Sequence, residues 1–221
     1  VEFIGGETGW RDSTVSIDVR AGEVQSLTLF VTDTMGNAVS EVEAGVDLNV
    51  RLEVFDGYGN PLQSDRLEAI GEGLIWTGVH EVPRCERQVT TGPIVDLVYL
   101  CHKEFAHTGH VIGVEYDLYT VQSAAFTVTP GDLHEISVDL LTSTVDFIAG
   151  SDMQVRFTAF DAFGNTLDRP VPNGIDGHTL PASNQRIGMS LDSNGQASTS
   201  FNLTEAGPTV VIAKYFGDEV G

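Results

Sequence analysis

Residues 44–62 read AGVDLNVRLEVFDGYGNPL and residues 149–167 read AGSDMQVRFTAFDAFGNTL. Ten of these nineteen positions are identical at an offset of 105. In each copy the apolar residues fall at every second position: Leu48, Val50, Leu52 and Val54, then Met153, Val155, Phe157 and Ala159. A period of two lines up side chains on one face of a strand and leaves the other face polar. Each strand runs into Asp-x-x-Gly-Asn, at Asp56–Asn60 and Asp161–Asn165. The glycine supplies the positive φ of a tight reversal, and the aspartate is placed to accept hydrogen bonds from turn amides. A unit that recurs after about 100 residues is too long for a solenoid repeat and has the size of a β-sandwich domain.

A second echo lies outside this one. GPIVDLVYLCHKEFAHTGHVIGVEY (92–116) and GQASTSFNLTEAGPTVVIAKY (195–215) each start at a glycine, run through a strand-like stretch, turn near Gly109 or Gly207, and enter a second strand. Further strands are expected at 24–32, 74–80, 94–101, 110–119, 123–129, 133–141, 186–191, 197–203 and 208–216. No stretch carries a convincing helical period. The expected fold is all-β: two tandem antiparallel sandwiches, spanning 22–129 and 130–221, preceded by a strand within 1–21.

Ala149–Leu167, the turn Asp192-Ser-Asn-Gly195 and Glu205-Ala-Gly207 resemble bacterial immunoglobulin-like domains of group 1, the stalk modules of invasin- and intimin-type surface proteins. The resemblance covers both repeats. It implies an extracellular or cell-surface location and a structural or adhesive role. The chain departs from the pattern in an extra Asp33–Asn37 turn, a cysteine pair, and a longer polar stretch at 62–92.

The ends of the chain do not coincide with the repeats. Val15-Ser-Ile-Asp-Val-Arg-Ala-Gly-Glu23 has the form of the join Ala125-Phe-Thr-Val-Thr-Pro-Gly-Asp132, alternating residues followed by Gly and an acid. Residues 1–21 therefore read as the last strand of a preceding sandwich, while the second repeat reads as lacking its own last strand. Two arrangements satisfy this. In one, the N-terminal strand of one copy fills the open C-terminal sandwich of the next copy, with Val15, Ile17 and Val19 as the buried face; such head-to-tail contacts build a filament, stalk or surface layer from copies of the chain. In the other, the chain is a window of tandem modules from a larger adhesin or secreted polysaccharide-degrading enzyme.

Eleven basic against 32 acidic residues leave a net charge of −21, which repels nucleic-acid phosphate. No apolar run approaches a membrane-spanning length. Cys85 and Cys101 are expected to form a disulfide, which suits an oxidising compartment and would contribute about 3 kcal/mol in the chain-entropy account. Catalytic patterns are absent: there is no Gly-x-Ser-x-Gly elbow and no phosphate-cradling loop leading into a helix, so no enzyme and no cofactor is expected. Cys101, His102, His107 and His110 are zinc-binding residue types, but their spacing is not His-Glu-x-x-His and a disulfide would withdraw Cys101. Asp47, Asp132 and Asp152, beside glycines at strand or domain ends, are the candidate calcium ligands. Asn202-Leu-Thr204 matches the N-glycosylation pattern. Trp10, Trp76, Tyr116 and Tyr119 are the candidates for an aromatic row that binds carbohydrate, and a host-surface ligand is the other candidate partner.

Overall fold

A computed structural model describes residues 17–88, 96–142, 147–171, 174–180, 186–204 and 206–215. The first sandwich holds β1 (Val24–Thr32), β2 (Glu41–Glu43), β3 (Leu48–Asp56), α1 (Ser64–Glu72), β4 (Ile75–Val79), β5 (Arg84–Arg87), β6 (Leu97–His102), β7 (His107–Tyr116), β8 (Tyr119–Gln122) and β9 (Phe126–Thr129). The second holds β10 (Glu135–Leu140), β11 (Ser151–Phe160), β12 (Ile175–Leu180), β13 (Arg186–Met189), β14 (Gln196–Leu203) and β15 (Val210–Tyr215). The all-β class and the two tandem, mainly antiparallel sandwiches read from the repeat are what the described residues form.

One sheet of the first sandwich is ordered β1-β3-β6-β5, and the facing sheet β2-β9-β7-β4 with β8 also on β7. Pairing is antiparallel except where β2 runs parallel to β9. The alternating residues do what their period demands: Leu48, Val50, Leu52 and Val54 are buried and meet Leu97, Tyr99 and Cys101 of β6, with Ile112, Val114, Phe126 and Val128 from the facing sheet. In the second sandwich β10-β11-β14 faces β13-β12-β15, and Met153, Val155, Phe157 and Ala159 fill its interior with Phe201 and Leu203.

Two features differ from the sequence reading and a third lies beyond it. A helix, α1, occupies part of the polar stretch at 62–92; it tucks Leu67 and Ile70, three positions apart on one face, under the first sandwich. Four strands lie outside the expected set: β2, β5, β8 and β12. They are three to six residues long, or carry glycine and charge, so alternation is weak in each. Finally, the short strands β5 and β13 join opposite sheets in the two sandwiches, β5 on β6 and β13 on β12.

Candidate functional site

The Asp-x-x-Gly turn is the recurring device of this chain. It occurs at Asp33–Asn37, Asp56–Asn60, Asp161–Asn165 and Asp192–Gln196. In each, the aspartate Oδ1 accepts the amides two and four residues on, at 2.8–2.9 Å. Gly36, Gly59, Gly164 and Gly195 have φ between 65° and 88°, which a side chain would resist. Asparagine at the fifth position returns its Nδ2 to the aspartate in the first three turns. These bonds hold all four carboxylates below the ordinary value of 3.8. For Asp161 burial pulls the other way and is outweighed.

Two of the turns also grip the chain where it enters a sandwich. Asp161 Oδ2 accepts the amide of Gly131 at 2.9 Å, and Asp56 Oδ2 accepts that of Gly22 at 2.9 Å. An arginine follows each: Arg169 reaches Asp132 at 3.2 Å, and Arg66 reaches Glu23 at 2.9 Å. Gly22-Glu23 thus stands to the first sandwich as Gly131-Asp132 stands to the second. Counting back, Ile17 takes the station of Phe126 and Val19 that of Val128. Phe126 and Val128 are buried strand residues that close the first sandwich, whereas Ile17 and Val19 are 78% and 84% exposed and belong to no strand. Val15 lies outside the described residues.

The join between the sandwiches is tightly bonded. Glu81's carboxylate accepts the amides of Glu104 (2.9 Å) and Phe105 (3.0 Å), and buried Lys103 donates to the carbonyls of Val79 and Glu81. This loop presents its next groups outward: the Ala106 amide donates to Asn165 Oδ1 at 2.8 Å, and Asn165 Nδ2 donates to the Glu104 carbonyl at 2.6 Å. Phe163 lays its ring on Gly45, where a Cβ would run into it. Arg169 completes the contact by an ion pair to Glu43 at 2.6 Å. The two sandwiches are therefore locked by the second sandwich's first turn.

At the far end, β15 is an edge strand among the described residues. In the first sandwich β7 carries β4 on one edge and β8 and β9 on the other. Its residues Ile112 and Val114 are fully buried. By register, β15 pairs with β12 as β7 pairs with β4, placing Val211 at the station of Ile112 and Ala213 at that of Val114. Among the described residues no strand takes the other edge of β15, and Val211 and Ala213 are only half-buried.

The remaining candidate residues have plain neighbours. Cys85 and Cys101 form a disulfide. Asp47 faces His102 Nδ1 at 3.4 Å, Asp152 accepts from Asn202 Nδ2 at 2.8 Å, and Asp132 pairs with Arg169, so the three candidate calcium ligands are spread over three separate contacts. Among the described residues no group of three His, Cys, Asp or Glu side chains is placed to hold a metal. Trp76 packs edge-on against Tyr99, at 4.9 Å between ring centroids, in the first core; Trp10 lies outside the described residues.

The histidines that do meet are His80, His107 and His110, a grouping that sequence spacing could not show because His80 comes from the turn after β4. His80 lies tilted against His107 at 3.8 Å between centroids and meets His110 edge-on at 5.4 Å. His110 is fully buried, and among the described residues its ring is poorly satisfied, with the Phe105 main chain and, less strongly, Glu81 favouring its charged form. Burial, helped by nearby Lys103, holds its pKa below 6.5. The unfolded chain then takes up a proton below pH 6.5 while the folded one resists, so stability falls with pH from that point. His110→Phe, which removes a buried and poorly satisfied imidazole beside Phe126, is expected to raise stability by about 1 kcal/mol and to flatten that decline, measured by urea unfolding from pH 7 downward.

No protein-family model matches the sequence, and no curated protein matches it. Among solved structures the chain is similar to the Escherichia coli adhesin FdeC, at 17% identity and TM-score 0.39, over 90% of this chain and 63% of that one. It is similar to the Yersinia pseudotuberculosis adhesin InvE, at 16% identity and TM-score 0.38, over 81% and 52%. It is also similar to domains 4–9 of the surface layer protein SbsC, at 14% identity and TM-score 0.33, over 86% and 31%. The chain thus spans less than two thirds of each of these three chains.

Proposed function

We propose that this chain is a non-catalytic structural unit of an extracellular filament, stalk or surface layer, built from invasin/intimin-type sandwiches and joined head to tail by strand donation. One observation carries the reading. Counted from the Asp56–Gly22 clasp, Ile17 and Val19 correspond to the buried Phe126 and Val128, yet both are exposed and belong to no strand among the described residues. The complementary feature is the outer edge of β15, which no described strand takes. Strand addition there would satisfy the main-chain groups of an open edge and cover Val211 and Ala213, with alternate side chains setting the register. The Cys85–Cys101 disulfide fits an oxidising, extracellular setting.

The test is the mass of the purified chain by light scattering, intact, without residues 1–21, and with Val15, Ile17 and Val19 all replaced by Asp. Open-ended polymers are expected from the intact chain and monomers from both variants, with unchanged circular dichroism. An intact chain that stays monomeric at every concentration overturns strand donation. It would then leave tandem modules of a longer adhesin or secreted enzyme as the reading, in which a covalently continuous strand fills each edge.

A further inference from the structure

The join between the sandwiches has two halves, and each half recurs at an outer end of the tandem pair. The half supplied by the second sandwich is Phe163 and Asn165 on the Asp161 turn. Its counterpart on the Asp56 turn is Tyr58 and Asn60, held by the same pattern of bonds. Phe163 is 43% exposed because its ring lies on Gly45; Tyr58 is 92% exposed. Asn165 bridges Glu104 and Ala106, whereas Asn60 is exposed and, among the described residues, bonded through its side chain to Asp56.

The half supplied by the first sandwich is Gly45 with the loop at 103–106. The Gly45 amide donates to the Lys103 carbonyl at 2.8 Å, and the Gly150 amide donates to the Leu203 carbonyl at 2.6 Å. That pair of bonds fixes the correspondence: Leu203 stands for Lys103, Thr204 for Glu104 and Ala206 for Ala106. Where a Cβ on Gly45 would meet the Phe163 ring, a Cβ on Gly150 would meet nothing within 4 Å.

We propose that Tyr58 and Asn60 of one copy dock on Gly150, Thr204 and Ala206 of a second copy. The Tyr58 ring covers Gly150, and the Asn60 amide bridges the Thr204 carbonyl and the Ala206 N–H. This rests on the head-to-tail reading above and adds to it the contact that sets the angle between copies. The occupant is a second copy because both halves are on this chain: Tyr58 and Asn60 sit on a turn with the bonds of the Asp161 turn, and Gly150 makes the main-chain bond that Gly45 makes in the filled join. One element is not reproduced. Ile148 stands at the station of Glu43, and Arg66, counterpart of Arg169, is already bonded to Ala21, Gly22 and Glu23. The contact therefore relies on ring packing and main-chain hydrogen bonds. Copies of charge −21 repel one another, so added salt strengthens it.

The experiment places p-benzoylphenylalanine at Tyr58 in the full chain and irradiates it, using mixed isotope-labelled and unlabelled copies. Expected are intermolecular adducts on peptides that contain Gly150 or residues 204 and 206. Alongside, Tyr58→Asp combined with Asn60→Asp is expected to raise the concentration needed for assembly at least tenfold, while a surface change at the opposite end of β1, Met35→Asp, leaves it unaltered. Adducts elsewhere, or unaltered assembly of the Tyr58→Asp/Asn60→Asp chain, overturn the docking contact. If that chain assembles normally while the Val15, Ile17 and Val19 variant does not, docking fails and strand donation stands. A wild-type chain that never exceeds monomer mass sinks both.

Discussion

Asp161→Ala is expected to lower the stability of the second sandwich by about 3 kcal/mol and to unlock its join with the first. Four donors converge on this carboxylate: the amides of Gly131, Phe163 and Asn165, and Asn165 Nδ2 at 2.8 Å. The residue is buried, so water replaces the lost acceptor poorly, and hydrogen bonds to a charged group are worth more than neutral ones. Asn165 then loses the bond that aims it at Glu104 and Ala106, and Gly131 loses the one that fixes the linker. Small-angle scattering should show a wider spread of inter-sandwich angles. Asn165→Ala separates the two effects: it leaves most of the Asp161 turn in place, so a small loss of stability with the same loss of alignment is expected. The acid limb carries the same signature. A carboxylate with a depressed folded-state value contributes fully above its ordinary value of 3.8, and that contribution is lost as pH falls through the folded value. Asp161→Asn, which cannot titrate, should unfold with a shallower pH dependence below pH 4 than the wild type. An Asp161→Ala chain of wild-type stability and fixed alignment would remove the turn as the lock.

The duplicated stretch made the fold legible because it carries two independent signals at once, alternation along β3 and β11 and a turn of fixed chemistry at their ends. The same stretch held the site in plain view. Asp56 and Asp161 were readable as turn residues, but their second oxygens act on Gly22 and Gly131, more than thirty and exactly thirty residues away, and nothing local in sequence encodes that. Asn165 was likewise legible as a turn residue and not as the bridge to the preceding sandwich, since its partners are main-chain groups that any residue types could offer. The helix α1 escaped because only Leu67 and Ile70 mark its inner face. Of the proposed strand-donation face, Ile17 and Val19 are exposed and belong to no strand, a property of the folded chain that alternation alone did not distinguish from packing on its own sandwich.

Removing the disulfide is the other large effect expected. Cys85 and Cys101 sit directly opposite on β5 and β6, with Cα atoms 4.1 Å apart, the close spacing of a pair that exchanges no main-chain hydrogen bonds. β5 is a four-residue strand whose described pairing is with β6 alone, so the cross-link is its strongest tie to that sheet. The second sandwich shows the alternative, for β13, the short strand that follows β12, pairs with β12 in the other sheet. Register also places Phe201 in the second sandwich at the station of Cys101 in the first, and both are fully buried. The disulfide thus stands where a phenylalanine ring would otherwise fill the core. Reduction of the wild-type chain should cost about 3 kcal/mol through the freed chain. Cys85→Ala with Cys101→Ala should cost roughly 1 kcal/mol more, because each change also deletes buried volume. Hydrogen exchange locates the loss: amides of β5 and β6 should exchange faster, while those of β11 and β14 keep their protection. Equal protection of β5 before and after reduction would mean that its four residues hold to β6 by pairing alone. The sheet chosen by this strand would then be decided by the backbone around it and not by the cross-link.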